Sequence, residues 1–142
     1  MIRLMFFLLV GTLSCSDKQT KNARNMNQPS RPIAEIKRLV VEKGDSNAYY
    51  DLFYAYVDSD KQNTDLLYYS YLMAFKYHYP KACMDVFDIL CRMYNMDANS
   101  INLSRMDDTS RKLALECVKS ASELNYLDTK KIYDSLLEKG NN

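Results

Sequence analysis

The spacing of apolar residues from position 33 onward is the feature that most limits what this chain can fold into. Apolar side chains recur there at steps of three and four residues, the period of an α-helix, and no segment alternates at a step of two as a half-buried strand would. The 142 residues contain only three glycines and three prolines, which disfavours a turn-rich β-sandwich. The sequence therefore predicts an all-α domain.

Residues that start and stop helices divide this region into six helices. Gly44 ends the first helix, and Asp45 or Ser46 is the expected N-cap of the second. Asp107 or Asp108 is the expected cap of the fifth, after a polar stretch. The predicted helices cover about 33–43, 46–57, 64–77, 81–94, 109–124 and 128–139.

The first 14 residues have the composition of an export signal. Arg3 supplies a positive charge, Leu4–Val10 is an unbroken apolar run, and the small residue Ser14 directly precedes Cys15. This arrangement resembles the lipobox of bacterial lipoproteins, and the resemblance implies that Cys15 becomes an acylated N-terminus after cleavage. The alternative is an ordinary signal peptide that is cut nearby, with Cys15 incidental.

Residues 16–31, which follow Cys15, are polar, with Ala23 and Met26 as the apolar exceptions. Burial cannot offset the entropy of ordering such a segment, so we expect a flexible tether. A lipid anchor at Cys15 would hold the folded part at a membrane of the bacterial envelope, in the periplasm or at the cell surface. The predicted organisation is a signal peptide over 1–14, a lipidated cysteine and tether over 15–31, and a helical domain over 32–142.

Parts of the helical region are similar to one another at fixed offsets. Residues 48–53 match residues 82–87 at an offset of 34, and residues 67–79 match residues 114–126 at an offset of 47. The difference between the two offsets is about the length of the polar stretch before the fifth helix. The simplest interpretation is a repeated two-helix unit whose second copy carries a long insertion.

This pattern resembles the tetratricopeptide and Sel1-like repeat families. The spaced residues of their first helix correspond to Ala48, Leu52 and Tyr56, and the aromatic and small residues of their second helix correspond to Tyr71 and Ala74. The resemblance implies a short right-handed α–α repeat of about three helical hairpins, stacked around one continuous core. The alternative is an irregular helical bundle whose self-similarity is coincidental.

Tyrosine is concentrated in one part of the chain, since nine of the twelve fall between residues 49 and 79. Tyr50 and Tyr54 are four residues apart and face together on a helix. The repeat resemblance places them in the concave groove where such proteins hold a protein or peptide. The matching positions of the next two helices of that type are Met84, Asp88, Lys131 and Ser135. Core packing is expected for Phe53, Tyr56, Tyr71 and Phe75.

The alternative for Tyr50 and Tyr54 is that they too cover the core or a neighbouring helix.

The cysteines and the single histidine give little support to catalysis or metal binding. Cys117 lies on the helix after Cys83 and Cys91, so one disulfide, to Cys91 or to Cys83, could form in an oxidising compartment. The alternative is that all three thiols are small buried hydrophobes. Because there is no CxxC motif and His78 is the only imidazole, we expect no metal site, no cofactor and no Cys–His nucleophile.

Charged residues are balanced, with a net charge of +1, which argues against nucleic acid as a partner. Asp85 and Asp88 could form an acid pair, but three residues apart on one helix they more often make a solvated face. Arg92 follows Asp88 by one helical turn and is its expected ion partner. Neither carboxylate predicts catalysis.

These observations predict a non-enzymatic envelope lipoprotein that binds another protein or a peptide. An immunity protein or an assembly adaptor would fit that description. The alternative is a lipoprotein that binds a small molecule or a glycan, with the tyrosine-rich surface as a stacking platform. A hydrolase is the interpretation that the residue inventory supports least.

Overall fold

The fold is helical throughout the part of the chain that the structure describes. The structure is a computed structural model, and it describes residues 29, 31–57, 64–97 and 100–140. Those residues form six α-helices and one 3₁₀ turn, with no β-strand among them, which confirms the predicted all-α class. The helices are α1 (Ile33–Lys43), α2 (Ser46–Val57), α3 (Thr64–Phe75), α4 (Pro80–Met93), α5 (Asp108–Glu123) and α6 (Thr129–Gly140), and the 3₁₀ turn is Leu103–Arg105.

The predicted signal peptide over 1–14 and the predicted lipidation site Cys15 lie outside the described residues. Of the predicted tether over 15–31, the structure describes Pro29 and Arg31 alone. The Arg31 guanidinium lies 3.4 Å from the Asp51 carboxylate, so the chain meets α2 just before α1 begins.

Helix α4 is central to the packing. It packs against α3 on one side and α5 on the other, while α1 packs against α2 and α3, and α6 packs against α5. Eight of the 14 residues of α4 are buried, which explains why its apolar residues extend around more than one face. The core is therefore continuous from the first helices to the last.

The turns after α1, α3 and α5 share one backbone feature, which Asn95 after α4 and Leu127 before α6 also have. Gly44, His78 and Asn125 all adopt the left-handed conformation, with φ of 61°, 52° and 54°. They follow α1, α3 and α5, and they are separated by 34 residues (78 − 44) and 47 residues (125 − 78). Glycine is needed at the first turn, because a Cβ at Gly44 would overlap the Tyr77 ring.

Buried residues recur at equal distances from these three turns. The residue eight positions before each left-handed residue is buried. The residues four positions before it and four positions after it are buried as well. In the order of the three turns, the sets are Ile36, Ser70 and Cys117; Val40, Ala74 and Ala121; and Ala48, Ala82 and Thr129.

Acidic residues cap two helices as predicted. The Asp45 carboxylate accepts hydrogen bonds from the backbone N–H groups of Asn47 and Ala48, at 2.9 and 3.0 Å. Asp107 caps α5 in the same way, accepting from Thr109 and Ser110. These bonds satisfy N–H groups that have no partner within the helix.

Candidate functional site

Two exposed tyrosines on α2 form the first part of the candidate site. Tyr50 is 38% exposed and Tyr54 is 52% exposed, and their ring centroids lie 6.1 Å apart. The Phe53 ring packs edge-on against Tyr54 at 5.7 Å. We call Tyr50 and Tyr54 the α2 tyrosine pair. Both residues belong to the set that the sequence predicts for partner binding.

The Tyr50 side chain connects this pair to two tyrosines of later turns. Tyr79 lies directly before α4 and Tyr126 lies in the turn between α5 and α6. Burial raises the pKa of both hydroxyl groups, and interaction with the nearby Tyr50 hydroxyl raises them further. Three tyrosine hydroxyls, on segments far apart in sequence, are therefore near enough for Tyr50 to influence the ionisation of Tyr79 and Tyr126. We call Tyr50, Tyr79 and Tyr126 the tyrosine cluster.

A buried ion pair lies next to the tyrosine cluster. The Lys81 ammonium donates to both carboxylate oxygens of Asp85, at 2.8 and 2.7 Å, and Asp85 is only 6% exposed. The Tyr49 hydroxyl donates to Asp85 at 2.7 Å and lies 2.8 Å from the Ser70 hydroxyl. Burial, followed by the Asp85 charge, raises the pKa of the fully buried Tyr49. We call these four residues the buried network.

Aromatic rings surround the ammonium group of the buried network. Lys81 Nζ lies 3.7 Å from the centroid of the Phe53 ring and 5.3 Å from that of Tyr50. Such contacts are favourable because the ring faces carry partial negative charge. The ion pair thus connects the core to the α2 tyrosine pair, and it fixes the part of α2 that presents Tyr50.

The network corrects one prediction. Asp85 is not part of a solvated face with Asp88, because its carboxylate is buried and bound by Lys81 and Tyr49. The sequence contained a signal for this pair, since Lys81 and Asp85 are spaced four residues apart on one helix. Nothing in the sequence placed Tyr49 or Ser70 beside them.

An apolar cavity of about 500 Å³ lies along α4. Its lining comes from α4, α6 and the segment after α4. The lining residues are Met84, Phe87, Asp88, Cys91, Arg92, Met96, Asp97, Ile101 and Ile132. Two of the predicted binding residues, Met84 and Asp88, therefore line the cavity.

The Asp88 carboxylate lines the cavity, and its charge makes a small contribution to the raised pKa of Tyr126, after burial and the charges of Tyr50 and Asp85. Asp88 is an exposed residue, but nearby protein atoms partly desolvate its carboxylate. That desolvation, with the charge of Asp85, raises the pKa of Asp88, and Arg92 and Lys81 oppose the rise.

The two predicted residues of α6 lie further out. Lys131 is exposed and its ammonium lies 3.1 Å from the Asp128 carboxylate, and Ser135 is also exposed. Ile132, between them in sequence, is the α6 residue that lines the cavity. The structure thus places Met84 and Asp88 together at the cavity and Tyr50 against Lys81 of the same helix, while Lys131 and Ser135 lie on the exposed surface of α6.

A second tyrosine surface lies on α3. Tyr68 is 55% exposed and Tyr71 is 49% exposed, so the prediction that Tyr71 packs in the core is wrong. Tyr71 stacks on Phe75 at 4.6 Å and Tyr68 contacts Tyr69 at 5.1 Å. We call Tyr68 and Tyr71 the α3 tyrosine pair. The buried face of α3 consists of Leu66, Ser70, Met73 and Ala74.

The three cysteines of the described region are buried free thiols, so the disulfide considered between Cys117 and Cys91 is not formed in this structure. Burial raises the pKa of Cys83 and of Cys91 to about 11 each. Burial also raises the pKa of Cys117, and the next contribution comes from Cys83. Of the two partners that the sequence left open for Cys117, Cys83 is the one whose charge influences it.

The other side chains considered for catalysis or metal binding form no cluster in the described ranges. His78 is exposed in the turn before α4 and has a left-handed backbone. Within the described ranges, no three histidine, cysteine or acidic side chains are grouped as metal ligands. No helix in the described ranges has the length and the hydropathy that crossing a membrane requires.

Comparisons with known proteins do not assign this chain to a family. No family model matches the chain, and no curated protein or solved structure is significantly similar to it.

Proposed function

We propose that the domain binds a protein or peptide partner through one continuous surface formed by α2, α4 and α6. The observation that carries this proposal is that the exposed tyrosines of α2, one of which lies against Lys81 of α4, occur together with an apolar cavity lined by α4 and α6. Tyrosines with an apolar ring and a polar tip are favourable anchors at protein interfaces, and an adjoining apolar cavity can hold a side chain of the partner. The proposed surface consists of Tyr50, Tyr54, Met84, Asp88, Lys131 and Ser135.

The architecture that we propose for this surface is a short α–α repeat of the tetratricopeptide or Sel1-like type. Three left-handed turn residues separated by 34 and 47 residues support it, because the offsets equal those of the sequence self-similarity. Buried residues at equal distances from the three turns also support it. In this arrangement α2, α4 and α6 are equivalent helices, and their exposed sides form one surface.

We further propose that the protein is a lipoprotein of the bacterial cell envelope, held at a membrane through Cys15. The support is in the sequence alone: the apolar run, Ser14 before Cys15, and the polar segment that follows. Mass spectrometry of the mature N-terminus, isolated from membranes, tests this directly. A diacylated cysteine is expected as the first residue, and an unmodified N-terminus at another position would contradict the proposal.

A binding role without catalysis fits the distribution of reactive groups. The thiols are buried and their pKa values are raised, which disfavours the thiolate form that a nucleophile needs. The buried carboxylate Asp85 is already bound by Lys81 and Tyr49. Within this role, an immunity protein or an assembly adaptor is a suitable description, and survival of a deletion strain challenged by neighbouring strains distinguishes the first from the second.

The matched tyrosine pairs give a direct test of the binding surface. The full-length protein, with Tyr50→Ala and Tyr54→Ala together, is used for affinity capture from envelope extracts, and captured proteins are quantified by mass spectrometry. Because tyrosine anchors often dominate interface energy, capture of the partner should fall by at least about tenfold.

The control is the double variant Tyr68→Ala and Tyr71→Ala, which removes two tyrosines of similar exposure from α3. Capture should stay within about twofold of the unsubstituted protein, because these residues lie outside the proposed surface. Equal loss in both double variants, or no loss in the α2 variant, would contradict the assignment of the site.

A small molecule or a glycan is the second candidate ligand. The cavity of about 500 Å³ favours it, because small-molecule sites commonly have this size and an apolar lining with a few polar groups. Calorimetric titration with envelope sugars tests this candidate. Binding that Met84→Ala weakens would support it, and the absence of heat with every sugar would favour the protein partner.

A further inference from the structure

Charged and apolar side chains line the cavity together. Two carboxylates, Asp88 and Asp97, line it together with one guanidinium, that of Arg92. The rest of the lining is apolar, with methionine, isoleucine and phenylalanine side chains from α4, α6 and the segment between them. A ligand that fills this space must therefore offer an apolar group, and a positive charge nearby would complement the lining.

The Asp88 carboxylate is the group that such a charge would meet. Among the described residues it accepts no hydrogen bond and has no cationic nitrogen within 4.0 Å. Arg92 attracts it from one helical turn away without reaching that distance. An exposed carboxylate that borders an apolar cavity and has no close donor is free to pair with an incoming cation.

The other nearby cation is already engaged. Lys81 donates to both oxygens of Asp85 at 2.7 and 2.8 Å, and its ammonium lies against the Phe53 ring. It cannot turn to Asp88 without leaving Asp85 as an unpaired buried charge, which would be strongly unfavourable. The protein therefore contains a paired carboxylate and a less well paired one on the same helix, and the second borders the cavity.

We propose that the partner presents an aliphatic side chain next to a lysine or arginine, with the aliphatic group in the cavity and the cation at Asp88. This inference rests on the protein-binding function proposed above and adds the chemistry of the bound segment. The aliphatic group contacts Met84, Phe87 and Ile132, and the cation reaches Asp88 from the solvent side, between the cavity and Tyr126. Aromatic rings of the tyrosine cluster add to the attraction for the cation.

Pools of synthetic peptides test this proposal directly, because they vary the chemistry of the bound segment one position at a time. Each pool has two adjacent fixed positions within otherwise randomised flanks, and the pools are passed over the immobilised full-length protein. Pools with leucine or isoleucine beside lysine or arginine should be retained about three- to tenfold more than pools with glutamine, glutamate or serine substituted at either position.

Two variants at exposed positions of α4, one helical turn apart, identify the residue responsible. Asp88→Asn should abolish the preference for lysine and arginine but keep the preference for aliphatic residues. Arg92→Gln is the matched control, and it should retain or strengthen the basic preference because it removes a competing cation. Circular dichroism of both variants checks that the helices are intact.

The outcomes separate this inference from the function on which it rests. Retention of aliphatic pools without a basic preference would overturn the charge assignment and leave protein binding in place. A preference for acidic pools that Arg92→Gln abolishes would also overturn it. If no pool is retained above background, the proposed function fails as well.

Discussion

The α2 and α3 tyrosine pairs have similar exposure but different surroundings. Tyr50 and Tyr54 are 38% and 52% exposed, and Tyr68 and Tyr71 are 55% and 49% exposed. The ring partners of the α3 pair come from α3 itself, Tyr69 and Phe75. Tyr50, in contrast, interacts with residues of two later turns and lies over the Lys81 ammonium. Exposure of tyrosine alone therefore does not define a site, whereas its connection to a cavity and to fixed charges does.

The largest expected effect comes from breaking the support of the α2 pair. Asp85→Ala leaves the Lys81 ammonium without its carboxylate, and loss of one partner of a buried ion pair costs about 3–5 kcal/mol. Urea unfolding followed by circular dichroism measures this loss. Asp88→Ala, on the same helix but without a close ion partner, should change stability by no more than about 0.5 kcal/mol. Equal costs for the two variants would mean that the buried network does not support this region.

Removing a single hydroxyl from the network should have a smaller effect. Tyr49→Phe keeps the buried ring but takes one donor from Asp85 and one partner from Ser70. A buried group that loses its hydrogen bond costs about 1–3 kcal/mol. Tyr68→Phe on α3 is the control, and its exposed hydroxyl should contribute less than about 0.5 kcal/mol. Similar values from unfolding curves of the two variants would remove the distinction between the regions.

Single alanine substitutions in the two pairs should cost similar, modest amounts of stability. Tyr54→Ala removes ring contacts with Tyr50 and Phe53, and Tyr71→Ala removes a contact with Phe75. Each loss should be about 0.5–1.5 kcal/mol, the usual value of an aromatic pair. Thermal unfolding of both variants measures it. A much larger cost for Tyr54→Ala would indicate that this tyrosine covers the core instead of facing a partner.

The smallest expected effect is a local response to pH. The pKa of Asp88 is raised in the folded protein by desolvation, so the ionised carboxylate opposes folding, and stability is gained as pH falls through the folded pKa. The titratable groups that interact with it are Asp85, Lys81, Arg92, Cys91 and Tyr126.

Carbon-13 labelling of tyrosine makes this response visible by NMR. Signals of Tyr50 and Tyr126 should shift with a midpoint above that of an ordinary aspartate, while those of Tyr68 and Tyr71 stay constant. Asp88→Asn should abolish the shift. A shift of similar size in all four signals would instead report a global change of the fold.

Helical boundaries could be predicted well because local patterns determine them. Gly44 stopped α1, Asp107 capped α5, and α2 begins and ends at the predicted residues. The 3₁₀ turn Leu103–Arg105 was missed, since the polar residues around it carry no helical period. The predicted domain limits at 1–14 and 15–31 stay predictions.

The candidate site could be predicted only in part, for a different reason. Tyr50, Met84 and Asp88 were predicted from positions that match across the sequence self-similarity, and their role in binding stays a prediction. The burial of Asp85 was missed because its partner Tyr49 lies 36 residues away, on another helix. Tyr126 was missed because its proximity to Tyr50 depends on how α5 and α6 turn back toward α4. Neither relation has a local sequence pattern.

The buried cysteines have a consequence for the chemical lifetime of the protein. With pKa values of about 11, the Cys83 and Cys91 sulfurs are almost entirely protonated at neutral pH, and an oxidant or alkylating reagent reaches them only when the helices separate. Their rate of labelling would therefore act as a clock for the opening of the molecule. In an oxidising environment, each opening would also risk irreversible damage, so slow unfolding itself would protect the chain.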